Sequence, residues 1–184
     1  MDIRTIRSKE SIKNSFIELR TKKELRKITV KELCEKANIN KSTFYAYYDD
    51  IFDLSEQIES DVVRQIIESI NHRYSMIFNA SEATSELFYA MKRQKKLIDI
   101  VFSGTQHPNL VYKISIMLKD IIFEANPHLK NNSKFNILLD YAIFGGYYAF
   151  EENSKIDNNP DEIISTITHA ATHMNELFTK DKNN

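Results

Sequence analysis

From position 41 to 48 the chain reads Lys-Ser-Thr-Phe-Tyr-Ala-Tyr-Tyr. An ammonium, two hydroxyls and several phenols, with no acid among them, form a set able to bond phosphate oxygens and to meet base edges in a DNA groove. Phe44 and Tyr48, four apart, give a short helix one apolar side. Lys41, Ser42, Thr43, Tyr45 and Tyr47 are then left to contact DNA, and a helix with that polar side suits a major groove.

What precedes these residues must hold them at the right angle. Thr29 is placed to cap a helix of about two turns, on which Val30, Leu33 and Ala37 share an apolar face. Asn38-Ile39-Asn40 then breaks the helix. Asn tolerates the left-handed backbone of a tight turn, and Ile39 supplies an apolar plug. The stretch from Thr29 to Tyr48 therefore reads as a helix-turn-helix.

On these residues the segment resembles the DNA-binding domain of the TetR family of bacterial transcriptional regulators. The family's Thr-capped helix, its turn and the Tyr-rich end of its recognition helix are matched here by Thr29, Leu33-Cys34, Asn38-Ile39-Asn40 and Tyr45-Ala46-Tyr47-Tyr48. Two positions depart from the pattern: Asn38 stands where Gly is usual, and Ile51 where a phosphate-contacting Lys is common. The resemblance implies an all-α fold, with a three-helix DNA-binding domain over 1–50 joined by a long helix to a helical effector-binding and dimerisation domain over 51–184. It implies a homodimer on double-stranded DNA and a small-molecule effector, with Thr29 fixing the first motif helix on a phosphate.

Charge is distributed in the same sense. The 184 residues carry a net charge of −1, yet residues 1–48 hold twelve Lys or Arg against six Asp or Glu, a net +6 that leaves −7 for the remainder. A basic head on an acidic body is expected where only the head meets phosphate. Only three Gly and three Pro occur, with no long period-two alternation, so the class is all-α. Cys34 is the one cysteine, which excludes an internal disulfide; its place in the motif makes it a core filler. No apolar run approaches a membrane span, and the expected location is cytoplasmic.

Around the motif, Arg4 and Arg7 begin an arm able to reach the DNA backbone or the minor groove, and a first helix runs from about Thr5 to Thr21. Lys22, Lys23, Arg26 and Lys27 are expected beside phosphates. From Ile51 an amphipathic helix is predicted to reach the neighbourhood of Phe78, and from Ser81 a new helix is predicted. In the second domain Phe88, Met91, Phe102, Tyr112, Met117, Tyr141, Phe144 and Tyr148 are candidate ligand contacts, although aromatics and Met at helical spacing fill a core equally well. Asn159-Pro160-Asp161-Glu162 is a helix start. The seam that follows, with the preceding helix, supplies Ile143, Tyr147, Ile164, Ile167, Ala171, Met174 and Phe178 as a candidate dimer interface. Gly145-Gly146 marks a close approach, by a neighbouring helix or by a ligand.

No catalytic constellation is legible. His169 and His173 share a helical face but have no acid between them, so no metal site and no cofactor are expected. The expected function is a DNA-binding transcriptional regulator, a repressor released by a small ligand. The alternatives are a co-activator or adaptor controlled by a protein partner and, more remotely, a small helical enzyme.

Overall fold

The computed structural model describes residues 3–156 and 159–179, without the side chains of 178 and 179. The described residues form an all-α fold of nine α-helices and no strand. They are α1 (Ile3–Arg20), α2 (Val30–Ala37), α3 (Lys41–Tyr45), α4 (Ile51–Glu68), α5 (Ala80–Arg93), α6 (Lys95–Val101), α7 (His107–Ala125), α8 (Ser133–Asn153) and α9 (Pro160–Thr179). The chain divides into two compact units, Met1–Val62 with Lys95–Pro108, and Val63–Gln94 with Asn109–Asn184.

In the first unit, Ile12 and Phe16 of α1, Leu33 of α2, Phe44 of α3 and Leu54 of α4 are all fully buried. Ile12, Phe16, Leu33 and Leu54 each sit at a helical interval from another apolar residue of the same helix, and Phe44 stands four residues before buried Tyr48 just past α3, so amphipathic segments close around one core. Burying each such side chain contributes roughly 1.5–3 kcal/mol, which a five-residue helix such as α3 needs because it is too short to persist alone. The expected amino-terminal arm is helical: Arg4 and Arg7 lie in the first turns of α1. Cys34 is buried, and burial pushes its thiol pKa up, as suits a core filler.

α4 starts on a side-chain cap. Asp50 Oδ1 accepts from the amides of Phe52 and Asp53 at 2.8 Å each, and Asp53 Oδ2 accepts from the Asp49 amide at 3.0 Å. The helix ends at Glu68, ten residues short of the expected Phe78. Beyond it Arg73 Nη1 donates to the carbonyls of Glu68 and Ile70, while Glu86 Oε2 accepts from the amides of Asn71 and His72. These side chains satisfy backbone groups that further helix would have used. The sequence misleads because Tyr74 and Phe78 keep helical spacing while both are exposed.

In the second unit, α9 packs against α5 and α8. α5 begins at Ala80 rather than on a Ser81 cap. Asn132 caps α8 by accepting from the Phe135 amide at 2.9 Å. Gly146 explains itself by packing: a Cβ there would lie 3.2 Å from Ile167 Cγ2 and 3.6 Å from the Phe88 ring. A helix crossing, not a bound group, meets that glycine.

Candidate nucleic-acid interface

The site is assembled from two caps and a turn. Thr29 stands before α2 in extended conformation, and its hydroxyl accepts from the Glu32 amide at 3.2 Å. A hydroxyl that accepts still carries its own proton, so the exposed Thr29 retains a donor for a phosphate oxygen. Asn38 ends α2 in the left-handed region, at φ 52° and ψ 48°. Ile39 is half-buried beneath the turn, and its amide closes the α2 terminus on the Cys34 carbonyl at 3.0 Å.

Asn40 then caps α3. Its Oδ1 accepts from the Thr43 amide, the Thr43 hydroxyl and the Ser42 hydroxyl, each at 2.7 Å. Both hydroxyl protons are therefore turned onto the cap, and the oxygen lone pairs are left as acceptors on the exposed side. Lys41 and Ser42 are exposed and Thr43 half-buried, while Tyr45 is 56% exposed with its ring edge-on to buried Phe44 at 5.4 Å. Tyr47 is half-buried, with Lys9 Nζ 5.3 Å from its ring centroid, within cation–π range. Arg4 and Arg7 are exposed and share one shallow groove with Ser8, Ser11, Asn38 and Ile39. Ser11 Oγ holds that groove together by donating to the Ala37 carbonyl at 2.8 Å. The structure thus brings Arg4 and Arg7 to the turn that leads into α3.

Other cations expected beside phosphate already have carboxylate partners. Lys23 pairs with Glu32, Lys22 with Glu18, and Arg26 and Lys27 with Glu24; Lys36, which is not among them, also pairs with Glu18. The bond from Lys36 holds the Glu18 carboxyl below the usual carboxylate range, and the bond from Arg26 does the same for Glu24. No such pair involves Lys41 or Arg7 among the described residues.

The expected ligand residues are not brought together. The second unit holds one apolar cavity of about 120 Å³, and of the eight candidates only Phe88 lines it. Phe102 belongs to the first unit. Tyr112, Tyr141 and Tyr148 are exposed, and Met91, Met117 and Phe144 are absent from the cavity wall. The wall instead uses helix faces rich in small residues, such as Ala80 and Ala83 of α5, Ala142 of α8 and Ala171 of α9. Alanines at helical spacing on facing helices were the available signal.

Of the residues expected at a dimer interface, Tyr147, Ile164 and Ile167 are buried within their own unit, and Ile143, Ala171 and Met174 line the cavity. The Phe178 side chain lies outside the described residues. Ile137, Tyr141 and Tyr148 of α8 are exposed at positions i, i+4 and i+11, on one face of the helix. Among the described residues no group of three or more His, Cys, Asp or Glu is placed to hold a metal, and no helix is long and apolar enough to cross a membrane.

No family model matches the chain, and no solved structure matches it. It is similar to a Bacillus subtilis (strain 168) protein described as an uncharacterized HTH-type transcriptional regulator, YxbF, at 25% identity over 113 residues, 61% of this chain. That stretch covers 27% of the relative, so the likeness reaches about a quarter of the curated protein's length.

Proposed function

We propose that the chain is a sequence-specific DNA-binding transcriptional regulator of the TetR type, acting as a homodimer and released from its operator by a small ligand. The observation that carries this reading is α3, a five-residue helix fixed by the Asn40 cap, with Lys41, Ser42 and Tyr45 exposed and the Arg4–Arg7 groove at its leading turn. In this reading α3 enters the major groove, Arg4 and Arg7 track the backbone, and the Thr29 hydroxyl fixes α2 on a phosphate. The likeness to a protein described as a transcriptional regulator supports the same reading.

The exposed Ile137–Tyr141–Tyr148 face of α8 supplies the surface for the second copy. Two copies would set paired recognition helices about 34–36 Å apart, or a small multiple of that, along DNA. The same face would serve a protein partner if the chain were an adaptor. Sedimentation of the purified protein separates the two, since the homodimer predicts a single species of twice the chain mass.

The decisive experiment selects bound fragments from genomic DNA and then measures the best of them by fluorescence anisotropy. Replacing Lys41 and Tyr45 together by Ala should abolish operator binding with helicity and dimerisation intact. Unaltered binding by that double variant refutes the assignment.

A further inference from the structure

The cavity of the second unit is chemically specific. Its wall is hydrocarbon, with Leu87, Phe88, Leu118, Phe135, Leu139 and Met174 on four different helices. Polar side chains enter it from Thr84 and Asn175 alone, and no Asp, Glu, Lys, Arg or His lines it. Asn175 is set in place by its Nδ2, which donates to the Ile77 carbonyl at 2.7 Å, so α9 also pins the 71–79 segment that contributes Met76 and Ile77 to the wall.

The volume persists because alanines face it where larger apolar residues would close it. The pocket is half open to solvent, so its hydrocarbon wall is left against water that an apolar guest would displace. At about 120 Å³ it approaches the engineered apolar cavity of roughly 150 Å³ that admits benzene.

We propose that this cavity binds an uncharged, mainly hydrocarbon molecule of about six to eight heavy atoms, a single ring or a six-carbon chain bearing at most one hydroxyl or carbonyl. The proposal deepens the effector reading above and rests on it for the consequence of binding, but not for binding itself. Thr84 and Asn175 orient the polar end by hydrogen bonds, and the remaining wall takes the hydrocarbon. A carboxylate or ammonium is rejected because it would lose its water and find no opposite charge.

The test uses the full chain without DNA, labelled with ¹³C at the methionine methyl groups. Met76 and Met174 line the cavity, whereas Met91 and Met117 do not. With 1-hexanol or toluene as probe, the Met76 and Met174 resonances should move and those of Met91 and Met117 should stay. Hexanoate and hexylammonium should need at least about tenfold higher concentration for the same movement. Ala171→Leu and Ala142→Leu, each checked for retained helicity, should abolish the hexanol response. Equal response to hexanoate overturns the proposal, as does failure of every neutral probe to move Met76 and Met174 in the unmodified protein. Hexanol that binds in this way yet leaves operator affinity unchanged would refute ligand release while leaving the cavity assignment standing.

Discussion

The Arg20 guanidinium donates to the Ser103 hydroxyl at 2.6 Å, across 83 positions of sequence. The same Nη2 reaches the carbonyls of Ser103 and Val101 at 3.2 and 3.4 Å, and Nη1 donates to the Lys23 carbonyl at 3.0 Å. Arg20 is thus the buried peg that joins the end of α1 to the segment after α6, within the first unit. Burial pushes its pKa down while the carboxylates of Glu59 and Glu24 act to raise it, so the charge is held by compensation.

Arg20→Met should therefore destabilise the protein by about 3 kcal/mol, because it removes the guanidinium bonds to the Lys23, Val101 and Ser103 oxygens together with a positive charge that favours the buried Glu59 carboxylate. Ser103→Ala removes one neutral acceptor and should cost about 1 kcal/mol. Urea unfolding followed by circular dichroism checks both. Equal losses for the two variants would show that the guanidinium charge carries no stability of its own.

The turn between α2 and α3 separates backbone strain from capping. Asn38 sits at positive φ, so Asn38→Ala should cost about 1–2 kcal/mol while Asn38→Gly stays within a few tenths. Asn40→Ala removes the acceptor of three hydrogen bonds and should cost about 1 kcal/mol. Thermal unfolding midpoints of the three variants order them, and a destabilised Asn38→Gly would contradict the geometry.

Local signals were legible in the sequence, and long-range ones were not. The Thr29 cap, the Asn38 turn and the Asn159–Pro160 helix start are each fixed by residues within four positions, and each appears in the structure. The end of α4 is set by Glu86, fifteen residues on from Asn71, so apolar spacing that continues through Tyr74 and Phe78 could not reveal it. The Lys95–Pro108 segment joins the first unit through Arg20, again across the chain. The cavity is not legible from aromatic spacing, because absent volume at Ala80, Ala83, Ala142 and Ala171 defines it.

Two adjacent glycines of α8 should respond differently to a methyl group. At Gly145 an added Cβ meets nothing closer than Tyr141 Cδ1 at 4.0 Å, so Gly145→Ala should stabilise by about 1 kcal/mol through helix propensity. At Gly146 the same atom lies 3.2 Å from Ile167 Cγ2, on a buried side chain. Gly146→Ala should forfeit that gain, and Gly146→Leu should lose roughly 1–3 kcal/mol to overpacking. Chemical denaturation of the three single variants decides it, and a stabilised Gly146→Leu would mean that α8 and α9 do not pack as described.

Glu86 gives the fold a dependence on acid. Burial raises its pKa, but bonds from the His72 amide, the Asn71 and His72 side chains and the Asn71 amide outweigh that and hold it below the ordinary value of 4.5. A carboxyl with a depressed folded pKa contributes stability that is complete above its unfolded value and lost as pH falls through its folded value. The difference in unfolding free energy between the native protein and Glu86→Gln should therefore be largest at neutral pH and shrink below about pH 4.5. The protection of the Asn71 and His72 amides against hydrogen exchange, taken relative to the unstructured rate at each pH, should fall over the same window, since these are the donors that the carboxylate releases on protonation. A stability difference that grows on acidification would reverse the sign and remove Glu86 as the group that fixes the segment after α4.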